Sequence, residues 1–193
     1  LARKPGVINF SHGSPPKEFF PVRHMQEAIN AVIDRDGASA LSYEVPEGYL
    51  PLRVAVRDYV RALGIQCRFE DVLITGGAQQ AIDLVLQSLM SEGETLVTAD
   101  PTYIGMMDIA HARRVHIQGV PIDEDGIRID ALENYLHENS PRLIYVMPTF
   151  QNPTGHVMPL HRRRQLIRLA EHHQIPILED EVYRELHFVD DHL

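Results

Sequence analysis

The sequence predicts an α/β fold: a three-layer α/β/α domain around a mainly parallel sheet, with an N-terminal arm ahead of it. Two observations predict this. From about residue 50 onward, short apolar runs alternate with amphipathic helical stretches, the pattern of strands joined by helical crossovers and covered on both faces. The runs stop abruptly at turn-forming pairs such as Gly76-Gly77 and Asp100-Pro101. The chain has 193 residues, 44% of them hydrophobic and 23% charged. That is enough for one domain with a sizeable core, or for one and part of a second.

The elements follow in order. Val7 to Phe10, then the Pro/Gly-rich bend Ser11 to Pro16, reads as an extended arm, and a helix over about Pro21 to Asp34 follows it. Leu41 to Gly48 reads as a loop, and a soft boundary belongs near residues 38–50. Leu52, Val56, Tyr59, Val60 and Leu63 form a helical stripe within Leu50 to Leu63. Val72 to Thr75 reads as a short buried strand, Ala78 to Met90 as a helix closed by Glu92-Gly93, and Thr95 to Ala99 as the next strand. A helix over Tyr103 to Ala112, a strand over Arg114 to Val120 and a helix over Asp130 to His137 come next. The strand Leu143 to Met147, the helix Leu160 to His173 and the strand Ile175 to Leu178 complete the pattern.

Charge and cysteine content remove several function classes. With 18 basic and 27 acidic residues the net charge is −9, a poor balance for this segment to grip nucleic acid or an anionic membrane by itself. Cys67 is the one cysteine, which excludes an internal disulfide framework and suggests a reducing, cytoplasmic compartment. No apolar run approaches the length of a membrane span, so no membrane partner is expected. No HExxH, CxxC or carboxylate–His spacing suits a metal, so none is expected. Arg162 to Arg164 with Arg168 reads as a solvated basic face.

In an open parallel sheet, ligands bind beyond the carboxyl ends of the strands. The run ending at Thr75 delivers Gly76-Gly77-Ala78-Gln79 to a helix N-terminus, which suits an anion such as phosphate or simply a tight turn. Thr95 to Ala99 delivers Tyr103, whose ring can lie on a planar ligand or pack on a neighbouring loop. Leu143 to Met147 delivers Gln151-Asn152-Pro153-Thr154-Gly155, a turn sequence that brings two amides to the strand mouth. Ile175 to Leu178 ends in Glu179-Asp180-Glu181. A partly buried carboxylate there needs a partner, and a protonated ring nitrogen would serve; the alternative is that these acids cap a following helix. Tyr183 lies three residues after Asp180.

Taken in order, Tyr43-x-x-Pro46-x-Gly48-x-x-x-Leu52-Arg53, Thr75-Gly76-Gly77-Ala78-Gln79-Gln80-Ala81, Pro101-Thr102-Tyr103, Gln151-Asn152-Pro153-Thr154-Gly155 and Glu179-Asp180-Glu181-Val182-Tyr183 resemble the fold-type I pyridoxal-phosphate aminotransferases of class I/II. The wording is similar to the aminoadipate/kynurenine branch. It is equally similar to the aminotransferase-like domains of MocR-type regulators, a GntR subfamily in which that domain follows a winged-helix DNA-binding domain.

The resemblance implies that residues 1–45 form the arm and helix on the substrate side and 46–193 the N-terminal part of the large cofactor domain. It implies pyridoxal 5′-phosphate as cofactor, with Gly77, Ala78 and Gln79 at its phosphate and Tyr103 stacked on its ring. Asn152 and Tyr183 would meet the ring's phenolic oxygen, and Asp180 the ring nitrogen. Tyr43 would reach the partner's phosphate across a homodimer interface, and Gly13, with Asn152, would lie by the substrate carboxylate. The substrate would be an amino acid or 2-oxo acid. DNA would be contacted only through an upstream domain outside this chain.

One departure qualifies these matches. The family needs a Schiff-base lysine downstream of Asp180, and this chain has only Lys4 and Lys17. The expectation is therefore a piece of a longer protein, a sheet cut before its catalytic lysine and its last strands. The alternative is that the lysine has been lost. Either way the chain is expected to be inactive by itself.

Overall fold

A computed structural model of the chain describes residues 15–186; the expected arm at residues 7–10 and the candidate Gly13 lie outside them. The chain divides into two compact units, Leu1–Val72 and Leu73–Leu193. In the first, α1 spans Val22–Asp36 and α2 spans Leu50–Ala62, with single 3-10 turns at Lys17–Phe19, Gly37–Leu41 and Phe69–Asp71. Arg53 of α2 is buried because its guanidinium grips the last of these turns. Nε donates to the Val72 carbonyl at 2.9 Å and Nη2 to the Phe69 carbonyl at 3.1 Å. The same group lies 5.6 Å from the Phe69 ring centroid, within cation–π range.

The second unit holds the sheet. Its elements are α3 (Ala78–Leu89), β1 (Thr95–Asp100), α4 (Ile104–Ala112), β2 (His116–Asp123), β3 (Gly126–Ile127), α5 (Ile129–Glu138), β4 (Leu143–Val146), α6 (Leu160–His173) and β5 (Ile177–Glu179). The strand order is β3-β2-β1-β4-β5. β2, β1, β4 and β5 are parallel, and β3 turns back antiparallel on β2.

Alternate residues of each strand face opposite layers. Leu96, Leu143 and Tyr145 pack with Ile82 and Leu86 of α3 and Met106 and Ala110 of α4. Val97, Ile144 and Val146 pack with Leu132 and Leu136 of α5 and Leu166 and Leu169 of α6. This is the three-layer α/β/α arrangement expected from the sequence. β1 sends its chain to β2 on one side, while β4 lies on the other, so the strand order reverses between β1 and β4. In open parallel sheets such a reversal is where ligands bind, beyond the strand ends.

Two expectations need correction. Val72 to Thr75 pairs with none of the five strands, and Leu73 is 51% exposed. An apolar run becomes a strand only where a neighbour offers its N–H and C=O groups, and the run itself cannot specify that neighbour. The Arg162–Arg164 stretch is not uniformly a solvated face. Arg162 donates to the Ile127 carbonyl at 2.7 Å and to Asp123 Oδ2 at 2.9 Å, tying α6 to the β2–β3 hairpin. Arg163 also turns inward, as described below, and only Arg164 of the three is exposed.

Candidate functional site

The carboxyl ends of β1, β4 and β5 deliver three loops to one mouth. From β5 comes Asp180, buried at 8% exposure. Its N–H donates to the Val146 carbonyl at 2.9 Å, so β4 fixes its backbone. Its Oδ2 accepts a 2.7 Å hydrogen bond from the hydroxyl of Tyr145, a β4 residue with no exposed surface. The residues after Asp180 form a turn and not a helix, so this carboxylate caps nothing and is instead held inside the strand rim.

Burial, with the neighbouring Asp180 carboxylate second, pushes the Tyr145 hydroxyl well above the ordinary tyrosine range. Because the folded value is the higher one, the unfolded chain loses this proton first. The contribution to stability is therefore complete below about pH 10 and falls by up to about 1.4 kcal/mol per pH unit above it. Urea unfolding across pH 9–11 should show this loss, and Tyr145→Phe should flatten it.

From β4 comes the loop 147–158. Asn152 is half-buried, and its Nδ2 lies 3.4 Å from the Tyr183 hydroxyl. Gln151, expected beside it as a second ligand-reading amide, is used inside the loop. Its Nε2 donates to the Pro101 carbonyl at 2.8 Å, and its Oε1 accepts from the Thr154 N–H at 2.9 Å. The base of the loop is held by Arg163. Nε donates to the Met158 carbonyl at 2.7 Å, and Nη2 donates to the Pro148 carbonyl at 3.0 Å and to Thr149 Oγ1 at 3.1 Å. Thr149 in turn donates to Glu181 Oε1 at 2.9 Å. Arg163 thus links the loop's two ends to the residue that follows Asp180.

From β1 comes Tyr103, whose hydroxyl lies 3.4 Å from Gln79 Nε2. Gln79 is in the first turn of α3, where no side chain caps the helix. Gly77 precedes it with φ 104° and ψ 170°, a conformation essentially reserved for glycine. A side chain there would meet nothing within 4 Å, so the backbone, and not crowding, demands the glycine. Gly76 N–H donates to Gln80 Oε1. The first helical bond of α3 is Ala81 N–H to the Gly77 carbonyl, so the first-turn N–H groups of Ala78, Gln79 and Gln80 have no partner within the helix.

Asp180, Tyr183, Asn152, Tyr103, Gln79, Ala78 and Gly77 are therefore contributed by one unit of the chain. Tyr43 belongs to the other unit and is fully exposed. Sequence reasoning missed Tyr145 and Arg163. A tyrosine inside a fully buried strand must find a partner for its hydroxyl, and that signal pointed to an acceptor at a neighbouring strand end.

Residues 5–191 match the sequence pattern of aminotransferase class I and II. The chain belongs to that family. It is 38% identical over 188 residues to a 2-aminoadipate transaminase of Thermus thermophilus, covering 97% of this chain and 46% of the relative. It is 33% identical over 180 residues to an HTH-type transcriptional regulator of Bacillus subtilis, covering 93% of this chain and 37% of the relative. Among solved structures it resembles the α-aminoadipate aminotransferase LysN of Thermus thermophilus, complexed with N-(5′-phosphopyridoxyl)-L-leucine. That match has a TM-score of 0.87 and 38% identity, and it covers 95% of this chain and 46% of LysN. The chain thus spans less than half the length of these relatives. No described helix of this aminotransferase-family chain is long and apolar enough to cross a membrane.

Proposed function

We propose that the protein to which this chain belongs uses pyridoxal 5′-phosphate to move an amino group between an amino acid and a 2-oxo acid. The observation that carries this reading is Asp180, a buried carboxylate at the strand mouth with one oxygen engaged by Tyr145 at 2.7 Å. The other oxygen remains available to a cationic ring N–H. The rest of the mouth fits the same group. The uncapped first turn of α3 suits a phosphate, and Tyr103 and the Asn152–Tyr183 pair suit a flat ring bearing an oxygen.

When bound, this cofactor supplies an electron sink for the carbanion formed at the amino acid's α-carbon. The chain's own residues set the conditions for it. Asp180 holds a proton at the ring nitrogen, because a buried anion stabilises an adjacent cation. Ala78 and Gln79 bind the phosphate through backbone N–H groups and the Gln79 amide. Tyr103 limits the ring's tilt from one face, and Asn152 and Tyr183 orient its phenolic oxygen.

Gly13 beside the substrate carboxylate, Tyr43 reaching the phosphate of a second subunit, and a division into 1–45 and 46–193 remain part of the proposal. So does a homodimer. The experiment is addition of pyridoxal phosphate to the full-length protein, followed by an amino acid. A new visible absorbance band that shifts on amino-acid addition, with release of a 2-oxo acid, is expected; no band would overturn the reading. The similarity to HTH-type regulators favours a second reading, in which the same pocket senses the cofactor or an amino acid for a DNA-binding domain elsewhere in the protein. A band without turnover, together with amino-acid-dependent DNA binding, would select it.

A further inference from the structure

Gly105 occupies the first turn of α4 and is buried. Its φ lies outside the positive range, so the backbone there accepts any L residue. Glycine is also among the poorest helix formers, so neither the helix nor its geometry calls for it. What excludes a side chain is Tyr103, two residues earlier. A Cβ built on Gly105 would lie 2.4 Å from Tyr103 Cζ, 2.4 Å from its hydroxyl oxygen and 2.7 Å from Cε1. These atoms form the far end of a ring that can rotate about its own torsions. The conflict is therefore relieved by swinging the tyrosine and not by unwinding α4.

We propose that Gly105 is a positioning residue: its missing side chain is the seat that holds the Tyr103 ring at the mouth, with its hydroxyl 3.4 Å from Gln79 Nε2. The inference rests on Tyr103 being the face on which the cofactor ring lies. It adds that the position of that face is set from beneath by the absence of one methyl group. Alanine at 105 suits α4 at least as well as glycine, yet it displaces the ring from the site.

The test uses the full-length apoprotein, measuring its thermal melting and its affinity for pyridoxal phosphate by fluorescence titration. Gly105→Ala should melt at or above the wild-type temperature yet bind the cofactor about tenfold more weakly, the order of a well-placed aromatic contact. Gly105→Ser, being larger, should weaken binding further. Tyr103→Ala should weaken binding by itself, and adding Gly105→Ala to it should then have no further effect, since no ring remains to be displaced. Weaker binding on Tyr103→Ala with wild-type affinity for Gly105→Ala would overturn the inference and leave the role of Tyr103 standing. An equal loss from Gly105→Ala in both backgrounds, with a lowered melting temperature, would make the glycine a packing residue and also overturn it. Wild-type affinity for Tyr103→Ala would remove the role of Tyr103 and the inference with it.

Discussion

Asp180→Asn in the full-length protein is expected to lower aminotransferase kcat/KM by about 10²–10³-fold, the scale of losing one preorganised electrostatic contact to the reacting group. Its stability should hardly change. The reason lies in the two oxygens of the carboxylate. One accepts the Tyr145 hydroxyl at 2.7 Å, and an amide carbonyl can take over that role. Under the proposed function the other must carry charge: an amide cannot keep a proton on a ring nitrogen, so chemistry should suffer where packing does not. Asp180→Ala separates the two further. It should lose the same activity and in addition cost about 1–3 kcal/mol, because the Tyr145 hydroxyl is left buried with no acceptor. Steady-state kinetics and urea unfolding of the two variants measure both effects. An active Asp180→Asn enzyme would mean that this carboxylate orients neighbours and does not tune the cofactor.

The contrast between Asp180 and its supports indicates what can be read from a linear sequence here. β1 and β4 are short continuous apolar runs, too short for helices and bounded by turn residues such as Gly93, Asp100-Pro101, Pro141 and Pro148. α6 is a longer run that alternates apolar with charged residues, so these elements are encoded locally. Loops at strand ends follow from those elements, which is why the sequence alone places Tyr103, Asn152 and Asp180 beyond the ends of β1, β4 and β5. Partners across the sheet have no such local code. Val72 to Thr75 has the residues of a strand, but it finds no ladder among the described residues. Gln151 and Asn152 are adjacent amides with equal claim to a ligand, and only the folded loop turns Gln151 back onto Pro101 and Thr154. Three consecutive arginines look alike on a helix. Yet Arg162 meets the β2–β3 hairpin, Arg163 meets the loop 147–158, and Arg164 faces solvent.

That last difference makes Arg163 the second position where a large effect is expected. Its guanidinium donates to the carbonyls of Met158 and Pro148, at either end of the loop that carries Asn152, and to Thr149. Nη1 also lies 3.6 Å from Glu181 Oε1, and the Arg163 side chain keeps only 25% of its exposure. Removing the guanidinium leaves Glu181 facing Thr149 without its cation, leaves the Met158 carbonyl short of a donor, and leaves the Pro148 carbonyl with the Met158 N–H at 2.8 Å alone. Charged hydrogen bonds of this kind are worth about 1.5–3 kcal/mol each, and partial solvent access reduces the net loss. Arg163→Met should therefore cost about 2–3 kcal/mol, whereas Arg164→Met, one residue on, should stay within about 0.5 kcal/mol. The functional loss should exceed what instability explains. With the loop unpinned, Asn152 no longer stays beside Tyr183, and cofactor affinity should fall at temperatures where the variant is still fully folded. Arg163→Lys is the sharper control, since it keeps the charge but cannot reach both carbonyls with a planar fork; it should recover only part of the affinity. Equal behaviour of the Arg163→Met and Arg164→Met variants in unfolding and in cofactor titration would show that the loop holds its shape without this clasp.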